Sequence, residues 1–361
     1  MCLYPRLIKN RKYTRNKKNQ GEIPYLRDNR LEYISVGCGK CIECTKKKAR
    51  DWKIRLNEEI RENKNGKFVT LTFSEESLNK FKEELKIENK VEEDNEIATR
   101  AVRLFLERYR KKYKKSVKHW LITELGHKNT ERIHIHGLIF MDNEKEIEKI
   151  WQYGWVYIGQ WVNEQTINYI AKYVTKIDTV HKWFTGKILS SPGIGSKYIN
   201  RKDSEKNKFN GLKTNELYIN RTGRKAPIPI YYRNKIYTEE ERELLWINKL
   251  NKETRYVLGT EIDVSTENGV KTYEKALEYA RIKNKQLGYG SINWKSETYE
   301  KHRKNIEEET RKLKNININS KHQTKITENN DTVNVLDNNT NKDIGIPSHI
   351  HESIERLGVF D

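Results

Sequence analysis

The sequence predicts an α+β fold built on an antiparallel sheet, and three observations support this fold class. Short runs of β-branched and aromatic residues alternate with segments whose apolar residues recur at helical spacing. The strands predicted at 118–124 and 132–141 are joined by a short polar loop, which allows an antiparallel hairpin but is too short for a parallel crossover. The 361 residues suffice for one enzyme-sized core with appended segments.

The first predicted elements lie in the N-terminal third. Residues 1–35 are basic and turn-rich, and a helical pattern follows the cysteine cluster. A buried strand is predicted at 68–73 from its β-branched and aromatic content. The charged residues 75–97 are interpreted as an insertion of low structural weight. The next helix is predicted from apolar residues at helical spacing, Ala98, Val102, Phe105, Tyr109 and Tyr113.

The remaining elements follow the hairpin in order. They are a helix at 143–151, a strand at 155–158, a helix at 163–177 capped by Asn163, loops at 186–235, and helices at 239–251 and 273–285. The Asn-rich stretch 314–342 cannot bury enough apolar surface to order itself. Four segments are therefore predicted: a basic Cys-rich segment and helix at 1–62, a catalytic core at 63–200, a loop-rich then helical extension at 201–310, and a largely disordered tail at 311–361.

The charge of the chain predicts a polyanionic partner. Lys and Arg total 71 against 51 Asp and Glu, which gives a formal charge of +20, and nucleic acid is the expected partner of such a protein. A Lys-rich and Asn-rich composition inherited from a biased genome is an alternative source of this charge. The sequence shows no long apolar span, amphipathic anchor or secretory signal, so we expect an intracellular protein without a membrane partner.

The sharpest local motif is the pair His134 and His136 in an apolar strand. Side chains alternate along a strand, so both imidazoles project from one face and can chelate one divalent ion. The predicted antiparallel neighbour ends in Glu124, whose carboxylate would complete a three-ligand site with open positions for substrate. His127 in the intervening loop is an alternative ligand or a partner of a ligand.

A His-x-His pair also arises by chance, and the polar tail of this chain contains a second copy, His349-Ile350-His351. The tail copy has no apolar strand around it and no carboxylate on a neighbouring strand. The sequence context therefore favours the internal pair as the metal site.

A second motif lies on the predicted helix at 163–177. Tyr169 and Tyr173 are four residues apart and so share a helix face, and Lys176 follows one short step further. The chain has 20 tyrosines, so ordinary packing is an alternative reading of this pair. Its position one strand after the metal motif favours a chemical role.

Together the two motifs predict a phosphoryl transfer reaction. A tyrosine oxygen attacks a backbone phosphate in line, the metal polarises a non-bridging oxygen, and a 3′ hydroxyl leaves, which yields a 5′-phosphotyrosine. Because an unperturbed tyrosine has a pKa of about 10, Lys172, Lys176 or the metal must favour the phenolate. Two tyrosines allow two successive transfers, and Tyr173 is predicted to attack first because Lys176 lies one helical turn beyond it.

These residues resemble the HUH endonuclease superfamily, and within it the replication initiators of microviruses, especially the gokushovirus-like group. The resemblance rests on three motifs in the family's order: the strand 68–72, Glu124 with the histidine pair, and the tyrosine pair with Lys176. It extends to 191–195 and to the Pro-containing segment 227–232, and it covers about residues 1 to 235. The charged residues 75–97 depart from the family, and His127 has no counterpart in it.

The resemblance implies both a fold and a biological role. The fold is an antiparallel sheet of about five strands with packed helices, related to ferredoxin-like and RRM-like folds. The role is rolling-circle DNA replication in the cytoplasm of a bacterial host, with Mg²⁺ or Mn²⁺ at the histidines. The implied substrate is single-stranded or hairpin origin DNA, and the freed 3′ end passes to the host replication machinery, its helicase and polymerase.

The cysteines form a separate cluster near the N-terminus. Cys38, Cys41 and Cys44 together with Cys2 supply four thiolates, enough for tetrahedral zinc. The alternative is a set of reduced thiols that line the first turns of a helix. The run 37–44 is also similar to the cysteine-rich run of the microviral proteins. The residues that follow would form a basic edge along DNA or a solvated helix face: Lys46, Lys47, Lys48 and Arg50.

Aromatic residues interleaved with basic ones could stack on unpaired bases or serve as core residues, namely Trp151, Tyr153, Trp155, Tyr157 and Trp161. Two rival functions share these features. One is a non-catalytic zinc-containing protein that binds nucleic acid. The other is a plasmid initiator, relaxase or transposase of the same superfamily.

Overall fold

A computed structural model describes residues 2–328 of the chain apart from 89, 127–130, 179, 182, 291–293 and 295. The chain divides into two compact units. The core unit is Thr45–Thr238, and the second unit combines Met1–Cys44 with Glu239–Asp361. This division differs from the four predicted segments, because residues 201–238 and most of the first helix lie in the same unit as the predicted catalytic core.

The described elements alternate between strands and helices along the chain. The strands are β1 (Arg6–Lys9), β2 (Tyr33–Val36), β3 (Gly66–Leu71), β4 (Lys118–Leu125), β5 (Ile133–Phe140), β6 (Val156–Gly159), β7 (Ile188–Ser190), β8 (Leu217–Ile219), β9 (Lys225–Pro227), β10 (Thr254–Val257) and β11 (Thr260–Asp263). The helices are α1 (Ile42–Glu62), α2 (Glu75–Leu85), α3 (Lys90–Tyr113), α4 (Lys145–Trp151), α5 (Glu164–Thr175), α6 (Ile230–Ile236), α7 (Glu239–Asn251), α8 (Glu267–Gln286) and α9 (Ser296–Glu328).

The core unit contains a five-stranded antiparallel sheet in the order β6-β3-β5-β4-β7. The central pair, β4 and β5, aligns Glu124 opposite His134. Gly137 follows directly on β5, and a Cβ there would lie 2.1 Å from the carbonyl oxygen of Trp120. Only glycine allows the backbone of β4 to come this close. The α+β fold with an antiparallel sheet of about five strands is thereby confirmed.

The two faces of this sheet pack against different helices. On one face, the apolar residues of α2, α3 and α4 cover Val69, Leu71, Ile133 and Ile135. On the opposite face, Leu56 of α1 and the α5 residues Ile167 and Ile170 pack with further buried strand residues, Trp120, Ile122, Leu138 and Phe140. The alternation of β5 sends its isoleucines to the first face and its histidines to the α5 face.

The interpretation of residues 75–97 as a structurally unimportant insertion is wrong. They form α2 and the first turns of α3, and Leu78, Phe81 and Ile97 are buried in the core of the sheet. Ser74 caps α2 by accepting a hydrogen bond from the Ser77 amide. Charged residues dominate the stretch because they occupy the exposed sides of amphipathic helices, whose apolar positions are few but correctly spaced.

The described part of the second unit contains two short antiparallel pairs and the helices α7, α8 and α9. Its core joins Leu3 and Cys41 to β10–β11 and α8. The helix predicted at 239–251 is confirmed as α7, and the one predicted at 273–285 is longer, as α8. The helix α9 continues to Glu328, so the part of the predicted tail between residues 311 and 328 is helical. The remainder of the tail, with His349 and His351, lies outside the described residues.

Within the part of the chain that is described, no helix combines the length and the apolar character needed to cross a membrane.

Candidate active site

The structure brings the predicted metal ligands together on the α5 face of the sheet. Glu124 and His134 are paired across β4 and β5, and His136 follows on the same face of β5. The Oε2 atom of Glu124 lies 2.9 Å from Nε2 of His136, and the two imidazole centroids are 6.4 Å apart. The side chains of Glu124 and His136 are only 17% and 12% exposed, so this polar group is partly shielded from water. His127, the alternative ligand, lies outside the described residues.

A residue that the sequence did not single out holds one imidazole in place. The hydroxyl of Thr70 on β3 lies 3.0 Å from Nδ1 of His136. Since Nδ1 is engaged by Thr70, Nε2 is the nitrogen turned toward Glu124. The signal that could have identified Thr70 is the antiparallel register, which pairs it with His136.

The predicted nucleophiles lie beside these ligands. The ring of Tyr173 stacks on the imidazole of His136 with a centroid distance of 4.6 Å and an angle of 8° between the planes. The hydroxyls of Tyr169 and Tyr173 are 2.7 Å apart and share a hydrogen bond. The Tyr169 side chain is half exposed, whereas Tyr173 is partly buried. Both phenols therefore meet the imidazoles at one point of the sheet surface.

Charged neighbours set the protonation of this group. The Lys176 ammonium forms an ion pair with Glu124. Burial opposes ionisation of Glu124, but hydrogen bonds from His136 and Lys176 outweigh it and hold the pKa of this carboxyl below its usual range. Burial and the neighbouring His136 lower the pKa of His134 and so favour the neutral imidazole, which is the form that binds metals.

The environment of Tyr173 has the opposite effect on its phenol. Burial raises the pKa of Tyr173, and the hydrogen bond with Tyr169 and the negative charge of Glu124 raise it further. These neighbours keep Tyr173 a neutral phenol. A positive charge beside Glu124 would reverse part of this effect.

An aromatic row runs from the edge strand to the tyrosines. Trp155 contacts Tyr157 at 6.0 Å, Tyr157 contacts Phe68 at 6.3 Å, and Phe68 contacts Tyr169 at 5.9 Å between centroids. Trp155 is 63% exposed and Tyr157 is 47% exposed. We call these four residues the aromatic row. Large exposed rings next to a polar site are unusual for packing alone and suit stacking on unpaired bases.

The other aromatic candidates divide between the core and the surface. Trp151 is fully buried and donates a hydrogen bond from its indole nitrogen to the Thr72 carbonyl, so its predicted role in base stacking is wrong. Tyr153 packs against Phe73 and Phe81 in the same core. Trp161 is 81% exposed.

The basic residues predicted to contact DNA lie on two helices. Lys46, Lys47, Lys48 and Arg50 are on α1, where Lys47 and Lys48 are exposed and Arg50 lies 3.6 Å from Asp51. Lys172 is exposed on α5, directly before Tyr173. Of this set, Lys172 is therefore adjacent in sequence to a predicted nucleophile.

The four cysteines form a second cluster. The sulfur atoms of Cys2, Cys38, Cys41 and Cys44 all lie within 4.8 Å of one another. Backbone amides donate hydrogen bonds to these sulfurs: from Tyr4 and Cys38 to Cys2, from Lys40 and Cys41 to Cys38, and from Leu3 to Cys41. Hydrogen bonds from Cys2 and Cys44 also lower the pKa of the Cys41 thiol. The cluster could bind a metal such as zinc, which takes four thiolates in a tetrahedron.

The comparison with known families covers the site region. Residues 66–178 match a family model described as a replication-associated protein of the ORF2 type. The matched segment runs from β3 to just beyond α5 and so includes Thr70, the Glu-His-His group and both tyrosines. No curated protein and no solved structure matches the chain. The family match supports a replication-initiator family for this chain.

Proposed function

We propose that this protein is a rolling-circle replication initiator, of the kind found in microviruses, which nicks single-stranded origin DNA and later rejoins it. The observation that carries this proposal is the stacking of Tyr173 on His136, with Glu124 at the edge of the same imidazole. A phenol, two imidazoles and a carboxylate at one point of a sheet surface are the groups that tyrosine transesterification requires. The replication-associated family match supports the same role.

The proposed reaction exchanges one phosphoester for another. The phenol oxygen of Tyr169 or Tyr173 bonds to the backbone phosphorus while the bond from phosphorus to the 3′ oxygen breaks. The phenol loses its proton and the departing 3′ oxygen gains one, so the products are a 5′-phosphotyrosine and a free 3′ hydroxyl. The energy of the phosphoester is retained in the protein–DNA bond, and attack by a 3′ hydroxyl on that bond reverses the step and reseals the strand.

The donor set fits a divalent cation. Glu124, His134 and His136 offer one carboxylate and two imidazoles from adjacent strands, a set that suits Mg²⁺ or Mn²⁺ with open positions. When bound, the ion would supply Lewis-acid stabilisation of the charge on a phosphate oxygen. The Lys176 ammonium pairs with Glu124, so the lysine is close enough to stabilise a phosphate or a phenolate near the same place.

The hydrogen-bonded tyrosine pair supports two sequential transfers. While one phenol holds the 5′ end of the DNA, the other remains at a distance of one helical turn to accept a second strand. The half-exposed Tyr169 is the more accessible of the two, and Tyr173 is the closer to His136. We retain Tyr173 as the first nucleophile because it contacts the predicted ligand group directly.

Two other functions are compatible with parts of the molecule. The cysteine cluster favours a zinc-containing protein that binds nucleic acid without cutting it. A plasmid initiator, relaxase or transposase would share the chemistry but act on a different DNA. Neither alternative is preferred, because the first leaves the paired phenols beside His136 without a role and the second does not account for the cysteine run.

Trapping of the covalent product tests the proposal. The protein is incubated with 5′- and 3′-labelled single-stranded viral-type origin DNA and Mn²⁺, and the mixture is separated by denaturing electrophoresis. We expect a protein–DNA adduct that retains only the label 3′ of the cut, that requires the metal, and that disappears with EDTA. Peptide mapping should locate the DNA on Tyr169 or Tyr173. No adduct with any divalent ion would refute the nicking mechanism.

The hydroxyl of Thr70 provides a further prediction. An imidazole that offers Nε2 to a cation carries its proton on Nδ1, and the Thr70 oxygen can accept it. Thr70→Val keeps the shape and removes this partner, so we expect about a 10- to 100-fold loss of metal affinity or activity. The measurement is the Mn²⁺ concentration that gives half-maximal adduct formation. Thr70→Ser should restore it, and equal half-saturation in the valine variant would contradict a positioning role.

A further inference from the structure

A groove with a strongly basic lining lies on the core unit. It has a volume of about 810 Å³ and is formed by the second half of α1, the β8–β9 hairpin and the beginning of α5. The hairpin contributes Arg221, Arg224 and Lys225, all exposed. We call this the basic groove. Neither the sequence motifs nor the proposed cleavage reaction assigns it a role.

Cations outnumber carboxylates in this lining. The side of α1 and the turn after it add four cations to the three of the hairpin, Arg50, Lys53, Arg61 and Lys64, against two carboxylates, Glu58 and Glu164. Glu58 is buried and already neutralised, because Arg201 forms an ion pair with it and the Tyr218 hydroxyl donates to it at 2.6 Å. The groove therefore retains a large excess of positive charge.

Several of these cations lack an acidic partner. Within the described residues, Lys53, Arg221, Arg224 and Lys225 form no ion pair. Like charges gathered on one surface repel one another, and this arrangement is stabilised when a polyanion binds and releases its counterions. The chemistry of the lining indicates a ligand with closely spaced phosphates.

The groove is suited to a phosphate backbone rather than to unpaired bases. Tyr218 is the one aromatic side chain among the described residues of its lining, and it is buried. These residues therefore present no ring for base stacking, in contrast to the aromatic row beside the tyrosines. Contacts to phosphates alone position a nucleic acid without reading its bases, and a paired segment presents its backbone outward in this way.

The helix α5 connects the basic groove with the proposed nucleophiles. Asn163 and Glu164 line the groove, and Tyr173 lies ten residues beyond Asn163 on the same helix. At 1.5 Å per residue this separation is about 15 Å, or about four nucleotides at the 3.4 Å spacing of one strand. Asn168 of the groove and the exposed Lys172 share a helix face between the two sites.

We infer that the basic groove binds the sugar–phosphate backbone of a base-paired segment of the substrate, about four nucleotides from the phosphate that is cut. The inference rests on the proposed function, because that function identifies the phosphate at Tyr173. The aromatic row and the groove then divide the substrate between them: unpaired bases stack near the nucleophile, and the stem of a DNA hairpin lies against α1 and the β8–β9 turn.

The test is a binding titration with Arg221→Gln, Arg224→Gln. Both side chains are exposed in a turn, so little loss of stability is expected. The probe is a fluorescein-labelled DNA hairpin of mixed sequence with a single-stranded arm, compared with an unpaired strand of the same length. All proteins also carry Tyr169→Phe and Tyr173→Phe, so that no covalent product forms. The matched control is Arg103→Gln, Arg110→Gln, because both arginines are exposed on α3 at the opposite face of the sheet.

We expect about a tenfold or greater loss of hairpin affinity, and a plot of log K against log salt whose slope is shallower by about 1.8 for the two lost phosphate contacts. The unpaired strand should lose less than about threefold, and the control variant should bind both probes like the parent. An unchanged slope would overturn the inference, and so would an equal loss for both probes, which would assign the groove to unpaired DNA.

Failure of this inference can be distinguished from failure of the proposed function. If the unmodified protein forms no adduct but the groove variant still shows the altered salt slope, the groove stands as a DNA site and nicking is refuted. If adducts form and the slope does not change, the nicking mechanism stands and the groove proposal is refuted.

Discussion

The double variant Tyr169→Phe, Tyr173→Phe is expected to form no covalent DNA adduct under conditions in which the unmodified protein does. Each substitution removes only the oxygen that would bond to phosphorus. Each ring should stay in place, because Tyr173 stacks on His136 and Tyr169 packs against Phe68. The interaction lost is the hydrogen bond between the two hydroxyls, which contributes about 1 kcal/mol to stability.

The single variants separate the two phenols. If Tyr173 attacks first, Tyr173→Phe should lose the first adduct, whereas Tyr169→Phe should keep it and fail only in the second transfer. The measurement is adduct yield over time on denaturing gels, with thermal melting to verify the fold. Tyr157→Phe is the matched control, because it removes the same atom from a partly exposed member of the aromatic row. An adduct that persists in the double variant would exclude both tyrosines as nucleophiles.

The second large effect concerns the cysteine cluster. Cys41→Ser is expected to abolish binding of one zinc ion per chain and to unfold the N-terminal part of the second unit. Structural zinc contributes about 10 to 16 kcal/mol of apparent binding energy in small domains, as much as the whole stability of an ordinary domain. Cys41 is fully buried and lies in one core with Leu3 and the strands β10 and β11. Loss of the metal should therefore weaken this entire core.

Metal analysis and calorimetry check this prediction together. The zinc content is measured by atomic emission after gel filtration, and the melting profile is recorded with and without a chelator. If zinc is the source of the stability, the chelator should lower the melting temperature of the parent protein and have almost no further effect on Cys41→Ser, because both changes remove the same interaction. A parent protein that binds no zinc and melts unchanged in the chelator would show that the four thiols pack without a metal.

Much of the molecule could be predicted because its signals are local. The alternation of β5 places His134 and His136 on one face and the isoleucines on the other, and each residue's direction depends only on its neighbours in sequence. The spacing of Tyr169 and Tyr173 likewise determines that they share a helix face. Strand and helix positions in the core unit follow from the same periodicities.

Other features depend on residues that are distant in sequence. Residues 75–97 look like a solvated insertion, yet Leu78 and Phe81 fill the core because α2 folds back onto the sheet. Trp151 looks like a stacking residue, yet it is buried by packing against Phe105 and Phe73. In each case the side chain alone leaves two environments open, and the long-range packing selects one.

By itself the sequence determined the fold class, the direction of each candidate ligand along its strand and the basic character that indicates nucleic acid. Only the tertiary structure decided that Tyr173 stacks on His136, that Thr70 holds the same imidazole, and that a hairpin and two helices combine their charges in one groove. The reason is physical: periodicity is set by backbone geometry within a few residues. The meeting of helix and sheet depends instead on the packing of many side chains far apart in the chain.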